Sequence, residues 1–392
     1  MSNRERWLLP EGIEEILPDE ALRLERLRRK LLDLLGAWGY ELTMPPLIEY
    51  LDALLTGTGR DLDLQTFKLT DQLSGRLMGV RADMTPQAAH IDAHYLKREC
   101  PVRLCYVGSV LRTRPDAFAG SRELLQLGAE LFGHAGPESD VEIVGLMLAA
   151  LSAAGLKNIH LDLGHVGVFR GLASAAGFPE TLENELFEAL QRKARSQVES
   201  LLAQSNADAG IRKMLAALID LNGGAETLGA ARNVLREAPT AVHEALANLE
   251  AIAGSVARNG LPVYFDLAEL RGYRYYTGVV FSAFVPGQGQ AVAQGGRYDG
   301  IGRAFGRARA ATGFSTDLRR LSRFIDTDSG IAPKGILTPP GEDTGLAQAI
   351  AELRANGERV VQRLPGSTAS ARELGCDREL IQKNGQWTVK PV

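Results

Sequence analysis

Between Glu20 and Trp38, Leu22, Leu24, Leu27, Leu31, Leu34 and Leu35 recur close to a helical period, with Arg and Glu between them. A stripe of that spacing predicts an amphipathic helix; Asp19 stands where it can cap the start, and Gly36 and Gly39 weaken and stop the end. Tyr40 to Glu49 then reads as a strand interrupted by Pro45 and Pro46. Proline cannot donate to a ladder, so such a strand belongs at an edge or where two subunits meet. Thr66 to Arg81 predicts a hairpin turning near Ser74-Gly75. It leads through Arg81-Ala82-Asp83-Met84-Thr85-Pro86-Gln87 into a helix with Thr85 as N-cap and Pro86 at its first position. Strands follow at Leu104 to Val110 and Leu124 to Leu131, around a polar loop from Arg112 to Ser121 that holds Arg112, Arg114 and, just beyond, Arg122. Alternation on the return strand aims Gln126, Gly128 and Glu130 to one face, which is unusual for pure packing. Ser139 and Glu142 have the spacing of a capping box, opening an apolar helix to about Ala154.

His160 to His165 reads as a strand that sends its two histidines to opposite faces, which argues against a shared metal. From about Val168 to Asn259 the chain becomes rich in Ala, Leu, Glu and Arg, and helices are predicted at Leu182 to Gln204, Ala209 to Leu221, Ala225 to Ala238 and Thr240 to Ala257. Strand-like residues resume at Leu261 to Leu267 and Val279 to Val285, and Ala310 to Phe324 passes from strand into helix. The last 60 or so residues alternate strand (Lys334 to Leu337), helix (Thr344 to Ala355), strand (Arg359 to Arg363) and a hairpin about Asn384-Gly385, a small α/β unit. The expected organisation is a core of residues 1–167 and 260–325, a helical insertion at 168–259 and an appendage at 326–392.

At 392 residues the chain exceeds the size at which one core keeps growing, so two or three domains are expected. A net charge of -4 argues against a protein that grips nucleic acid over its whole surface. Cys100, Cys105 and Cys376 lack metal-site spacing and are odd in number, as expected for reduced, packed thiols. No apolar run approaches 20 residues, so the chain reads as soluble and cytoplasmic, with no membrane partner. Candidate chemistry concentrates between Leu270 and Leu321, in Arg271-Gly272-Tyr273-Arg274-Tyr275-Tyr276 and Gly295-Gly296-Arg297-Tyr298-Asp299-Gly300. Arginine forks, tyrosine faces and glycines that admit close backbone approach suit a small, polar, zwitterionic ligand; a Gly-rich hairpin with packed tyrosines is the plainer alternative.

Taken together, residues 8 to 325 resemble the class II aminoacyl-tRNA synthetases, and histidyl-tRNA synthetase in particular. Met44-Pro45-Pro46 looks like motif 1, Tyr106 to Arg112 with Gln126 to Gly133 like motif 2, and Gly313 to Leu321 like motif 3, with Arg320 at its arginine. The two Gly- and Tyr-rich stretches resemble the histidine-specific signatures of that family. The resemblance implies an α+β fold, an antiparallel sheet flanked by helices, and a pocket for histidine. Asp83 (a glutamate in the synthetase), Thr85, Gln126 and Glu130 would face the ammonium and polar atoms. Arg271 would face the carboxylate or α-phosphate, Tyr276 and Tyr298 would line the ring, and Arg112 and Tyr275 belong to the same pocket.

The departures matter as much. Arg114 stands where the synthetase has an ATP-seating glutamate, Arg274 where its first signature has aspartate, and Asp317 where motif 3 has glycine. A carboxylate facing a triphosphate at ~5 Å is repelled by about 3 kcal/mol at an effective dielectric of roughly 20. The shortened C-terminal unit and acidic balance remove much of the expected tRNA grip. In these departures the chain most closely resembles the regulatory-subunit family of ATP phosphoribosyltransferase. That implies no catalysis or cofactor of its own, and a role in the first step of histidine biosynthesis. It also implies a homodimer through motif 1, a hetero-oligomer with a short-form catalytic chain, and feedback sensitivity to histidine. A truncated histidyl-tRNA synthetase forming histidyl-adenylate, and an RNA-binding adaptor, stay open as alternatives at this point.

Overall fold

A computed structural model describes residues 7–57, 60–115, 120–257, 260–273, 275–325 and 335–392; Arg274 falls outside them. In chain order α1 (Pro18–Ala37) precedes β1 (Glu41–Leu42), β2 (Ile48–Tyr50), α2 (Leu51–Leu54), α3 (Arg60–Gln65), β3 (Phe67–Thr70), β4 (Leu77–Val80) and α4 (Thr85–His90). A π-helical turn, Ile91–Leu96, extends α4; then come β5 (Val102–Leu111), β6 (Glu123–Phe132), α5 (Pro137–Ala153) and β7 (His160–His165). The helical stretch is α6 (Val166–Ala176), α7 (Glu180–Gln191), α8 (Arg195–Gln204), α9 (Ala209–Ala217), the two-residue β8 (Asn222–Gly223), α10 (Glu226–Val234) and α11 (Thr240–Ala257). It is followed by β9 (Val263–Asp266), β10 (Val279–Phe284), β11 (Ala293–Arg297), β12 (Ala311–Asp317) and α12 (Leu318–Ser322). The chain ends with β13 (Gly335–Thr338), α13 (Thr344–Ala355), β14 (Arg359–Gln362), β15 (Cys376–Lys383) and β16 (Gln386–Pro391). Contacts divide the chain into two units, Met1–Ile16 with Leu24–Ile325, and Leu17–Arg23 with Asp326–Val392.

The first unit is built on a nine-stranded sheet of order β1-β5-β6-β12-β11-β10-β7-β9-β8. Its central pairings are antiparallel, while β1 with β5 and β7 with β9 run parallel near the edges. The α1 leucines Leu24, Leu27, Leu31 and Leu35 are buried as their period predicts, and they share one core with Ile143 and Met147 of α5, Phe169 of α6, Leu249 of α11, and Phe281 and Phe314 of the sheet. Each fully buried leucine or phenylalanine contributes roughly 1.5–3 kcal/mol relative to exposure. The helical stretch is therefore packed on the sheet's own core. In the second unit β14-β13-β15-β16 form a small sheet, and Leu346 and Ile350 of α13 pack on Ile336, Val360 and Leu380.

Several local expectations are corrected. The strand expected over Tyr40 to Glu49 is two: Pro45 and Pro46 divide it, β1 joining β5 and β2 joining β4 in a separate three-stranded sheet. The freed Pro45 carbonyl accepts from Arg81 Nη1 at 2.6 Å. The helix expected over Leu182 to Gln204 is α7 and α8, parted where Lys193 turns left-handed at φ 53°. Asp19 lies inside the first turn of α1 rather than capping it. Thr85 is not an N-cap: it is the first residue of α4, and its backbone N–H is satisfied by Asp83 Oδ1 at 2.9 Å. No capping box forms at Ser139, because α5 begins two residues earlier at Pro137, and Ser139 and Glu142 have distant partners instead.

Candidate functional site

Strand β6 carries the centre of the site. Its register sets Gln126 against Asp317 and Glu130 against Gly313 of β12, and Gly128 against Tyr106 of β5. A Cβ on Gly128 would collide with the Tyr106 hydroxyl, and one on Gly313 with the Glu130 carboxylate, so both glycines make room for a larger neighbour. Glu130 is 1% exposed and accepts from Tyr106 Oη at 2.8 Å and from Tyr298 Oη. Burial pushes its carboxyl up to about 8, against the pull of the Tyr298 and Tyr106 hydroxyls. Thr85 Oγ1 meets Tyr106 Oη at 2.9 Å. Gln126 bridges outward, accepting from Met84 N at 2.9 Å and donating to Asp83 Oδ1 at 2.8 Å. Asp83, Thr85, Gln126, Glu130 and Tyr298 thus stand in one hydrogen-bonded block, in which the Tyr106 hydroxyl is held between Thr85 and Glu130.

Tyr275 and Tyr276 close this block from the other side. The Tyr275 ring stacks on Tyr298 at 5.1 Å, and its buried hydroxyl has no partner among the described residues. Tyr276 lies between Gly272, at φ 65°, and Gly296; a Cβ on either would come within 2.8 Å of its ring. Arg271 is far more open, with half its side chain exposed, and reaches Glu269 Oε2 at 3.4 Å and Gln294 Oε1 at 3.5 Å. Arg297 points the other way. Its guanidinium is buried behind the sheet, on Asp140 Oδ2, Ser139 Oγ and the carbonyls of His134 and Gly136.

In front of Gln126 a cavity of about 530 Å³ is walled by Arg112, Arg271, Gln294, Asp317 and Arg320 among others. Three of the nine site residues, Arg112, Gln126 and Arg271, therefore line it. Asp317 caps α12, its Oδ1 accepting from Arg319 N and Leu125 N at 3.1 Å, and burial raises its carboxyl above the ordinary value. Arg320 is committed to the Ala291 carbonyl and Gln290 Oε1, both at 2.7 Å. Arg114 is exposed and takes no part in the wall, and Arg122 is structural, donating to the carbonyls of Arg112 and Glu11. A side chamber of about 200 Å³ shares Arg271 and Gln294 with the main cavity and is lined by Tyr276, Glu269 and Asp162. Burial, with Glu269 and Asp266 nearby, raises Asp162 to about 6.

In the sequence Tyr106 shows no role beyond opening the motif 2 resemblance, and Arg170 none at all. A tyrosine in an apolar strand reads as packing, although the glycine opposite it is the signal of a close approach. His165 caps α6 through Nδ1, and His160 is exposed. Among the described residues no group of three or more His, Cys, Asp or Glu is placed to hold a metal ion, and no helix is long and apolar enough to cross a membrane.

A mixed sheet of this strand order, flanked by helices and with Gln126 and Glu130 on its central strand β6, defines a protein of the class II aminoacyl-tRNA synthetase type. The family described as histidyl-tRNA synthetase matches residues 12–321, and the one described as ATP phosphoribosyltransferase subunit HisZ C-terminal domain matches residues 333–390. A Bacillus halodurans structure described as an ATP phosphoribosyltransferase regulatory subunit/histidyl-tRNA synthetase is 29% identical with a TM-score of 0.82, covering 95% of this chain and 97% of that one. Histidyl-tRNA synthetase from Nostoc sp., at 19% identity and a TM-score of 0.76 over 96% of this chain and 91% of that one, shares the fold. Among curated relatives, the ATP phosphoribosyltransferase regulatory subunit of Alkalilimnicola ehrlichii is 58% identical over 100% of this chain and 98% of its own length. That of Ectopseudomonas mendocina is 56% identical over the whole of both. The chain belongs to the family of ATP phosphoribosyltransferase regulatory subunits.

Proposed function

We propose that this regulatory, non-catalytic chain works in the cytoplasm by joining a short-form catalytic ATP phosphoribosyltransferase subunit. There it would support the condensation of ATP with phosphoribosyl pyrophosphate that opens histidine biosynthesis, and its own pocket would receive histidine as the feedback signal. The observation that carries the pocket reading is the hydrogen-bonded block of Asp83, Thr85, Gln126, Glu130 and Tyr298 beside a cavity lined by Asp317 and by an Arg320 already engaged. Acidic and amide groups suit an ammonium and an imidazole, Arg271 and Arg112 suit a carboxylate, and the tyrosines suit a planar ring. Residues 1–167 and 260–325 form the synthetase-like core in this reading, 168–259 an insertion and 326–392 an appendage.

Two copies would pair through the motif 1 region. Met44, Leu47 and Ile48 are 77%, 47% and 41% exposed, an apolar face too open for a lone subunit. The reading is tested by phosphoribosyl transfer from the pyrophosphate donor to ATP by the catalytic chain, with and without this chain, titrated with histidine. Activation by this chain and inhibition by histidine are expected. Histidine-dependent exchange of pyrophosphate into ATP by this chain alone would instead identify an amino-acid-activating enzyme.

A further inference from the structure

The loop that carries Arg271 and Tyr276 is held from the helical stretch. Arg170 of α6 sends one nitrogen, Nη2, to two carbonyls, Tyr273 O at 2.9 Å and Tyr276 O at 3.0 Å, and so bridges the loop's two ends. The same guanidinium lies over the Tyr273 ring, 4.9 Å from its centroid. Tyr273 points away from the pocket, is only 6% exposed, and packs against Phe169 of α6 (5.3 Å, edge-on) and Phe187 of α7 (5.2 Å, stacked). Its hydroxyl donates to Glu183 of α7. Gly272 beside it, at φ 65°, provides the turn that sends Tyr273 toward the helices and Tyr276 toward the sheet. On the pocket side the Arg271 guanidinium makes long contacts to Glu269 and Gln294, while its backbone N–H donates to Glu269 Oε1 at 2.9 Å.

We propose that Arg170, Tyr273 and Glu183 are positioning residues, which fix the chain at Tyr273 and Tyr276 to α6 and α7 and thereby set the affinity of the pocket. None of them lines either cavity. A guanidinium nitrogen shared by two backbone carbonyls and an aromatic ring wedged between two helices remove freedom the loop would otherwise lose on binding, and pre-organisation of that kind appears as affinity. The same clamp makes the helices the element through which a load from outside reaches the pocket, and by linkage the element on which occupancy acts back.

The proposal rests on the reading that the pocket takes histidine, and its test separates the two. Arg170→Gln, Tyr273→Phe and Glu183→Gln are made in the full-length chain. Amide exchange over residues 270–277, the thermal midpoint without ligand, and histidine binding by calorimetry are then measured. Arg170→Gln should speed exchange in that segment while β10 and β12 stay protected, and weaken histidine ~10-fold; Tyr273→Phe, which keeps the ring and loses one hydrogen bond, should weaken it ~3-fold. Glu183→Gln retains an acceptor and should stay within about twofold of the parent. Unchanged exchange in Arg170→Gln overturns the proposal, as does an affinity loss that merely tracks a fallen thermal midpoint across all three variants. If the parent chain binds no histidine, the pocket reading falls and the exchange data alone decide the clamp.

Discussion

Glu130 is the residue with most at stake. Its carboxyl is raised from an ordinary 4.5 to about 8 by burial, so the fold prefers the protonated form. The stability it contributes is therefore fully present below its ordinary value and is lost as pH rises toward about 8, because the unfolded chain releases the proton first. Glu130→Gln, a permanent neutral analogue, should flatten this part of the stability profile; urea midpoints taken from pH 5 to about 8 check it, and an unchanged slope would place the charge elsewhere. Asp317 invites a different experiment. Asp317→Gly should cost ~1 kcal/mol through the lost α12 cap and widen the main cavity, giving measurable nucleotide binding by calorimetry. With no gain, the barrier is Arg320, locked on Gln290 and Ala291. Gln126 and Glu130 were legible in the sequence because a strand's period of two is rigid. Thr85 reads as a cap and does something else: its hydroxyl serves Tyr106 while Asp83 satisfies the helix start.

At the scale of elements, local patterns were readable where the nearest partners are local. The leucine stripe of α1 and the β5–β6 hairpin needed nothing else. Where a long-range partner wins, the local signal misleads. Ser139 and Glu142 have capping-box spacing, yet Ser139 Oγ accepts from Arg297 Nη2 at 2.7 Å and Glu142 forms a bidentate pair with Arg103 at 2.7 Å. Neither partner is close in sequence. Arg297 shows the same effect inside a ligand signature: it anchors α5 and the loop before it to β11, while its neighbour Tyr298 turns to Glu130. Arg297→Ala would leave Asp140, with 0% of its side chain exposed, without its cationic partner and with Asn248 Nδ2 at 3.3 Å as a remaining donor. The expected loss is ~3–5 kcal/mol, read as a fall in the urea midpoint, with any loss of histidine binding following from unfolding. A binding defect at unchanged stability would mean that Arg297 reaches the ligand after all.

For the whole molecule, the site's chemistry and the open apolar face are physically connected. A groove of about 380 Å³ runs over Pro45, Pro46, Ile48, Tyr50, Met78 and Tyr95, and Gln87, 3% exposed, lies in its wall. Gln87 also donates to the Pro46 carbonyl at 2.8 Å and belongs to α4, the helix that Asp83 and Thr85 start. The face that the proposed dimer covers is thus one helix removed from the pocket. A second copy covering the groove would bury its apolar wall together with the exposed Met44 and Ile48. Ile48→Glu should therefore shift the chain from dimer to monomer in sedimentation, since a charge in an apolar interface has no partner. The monomer should also bind histidine less well, because the α4 end of the pocket loses its support. If the variant sediments as the parent does, the motif 1 face is not where the copies meet. If it becomes monomeric with full histidine affinity, dimer and pocket are independent, and the partner's regulation runs through the helices that hold Tyr273 instead.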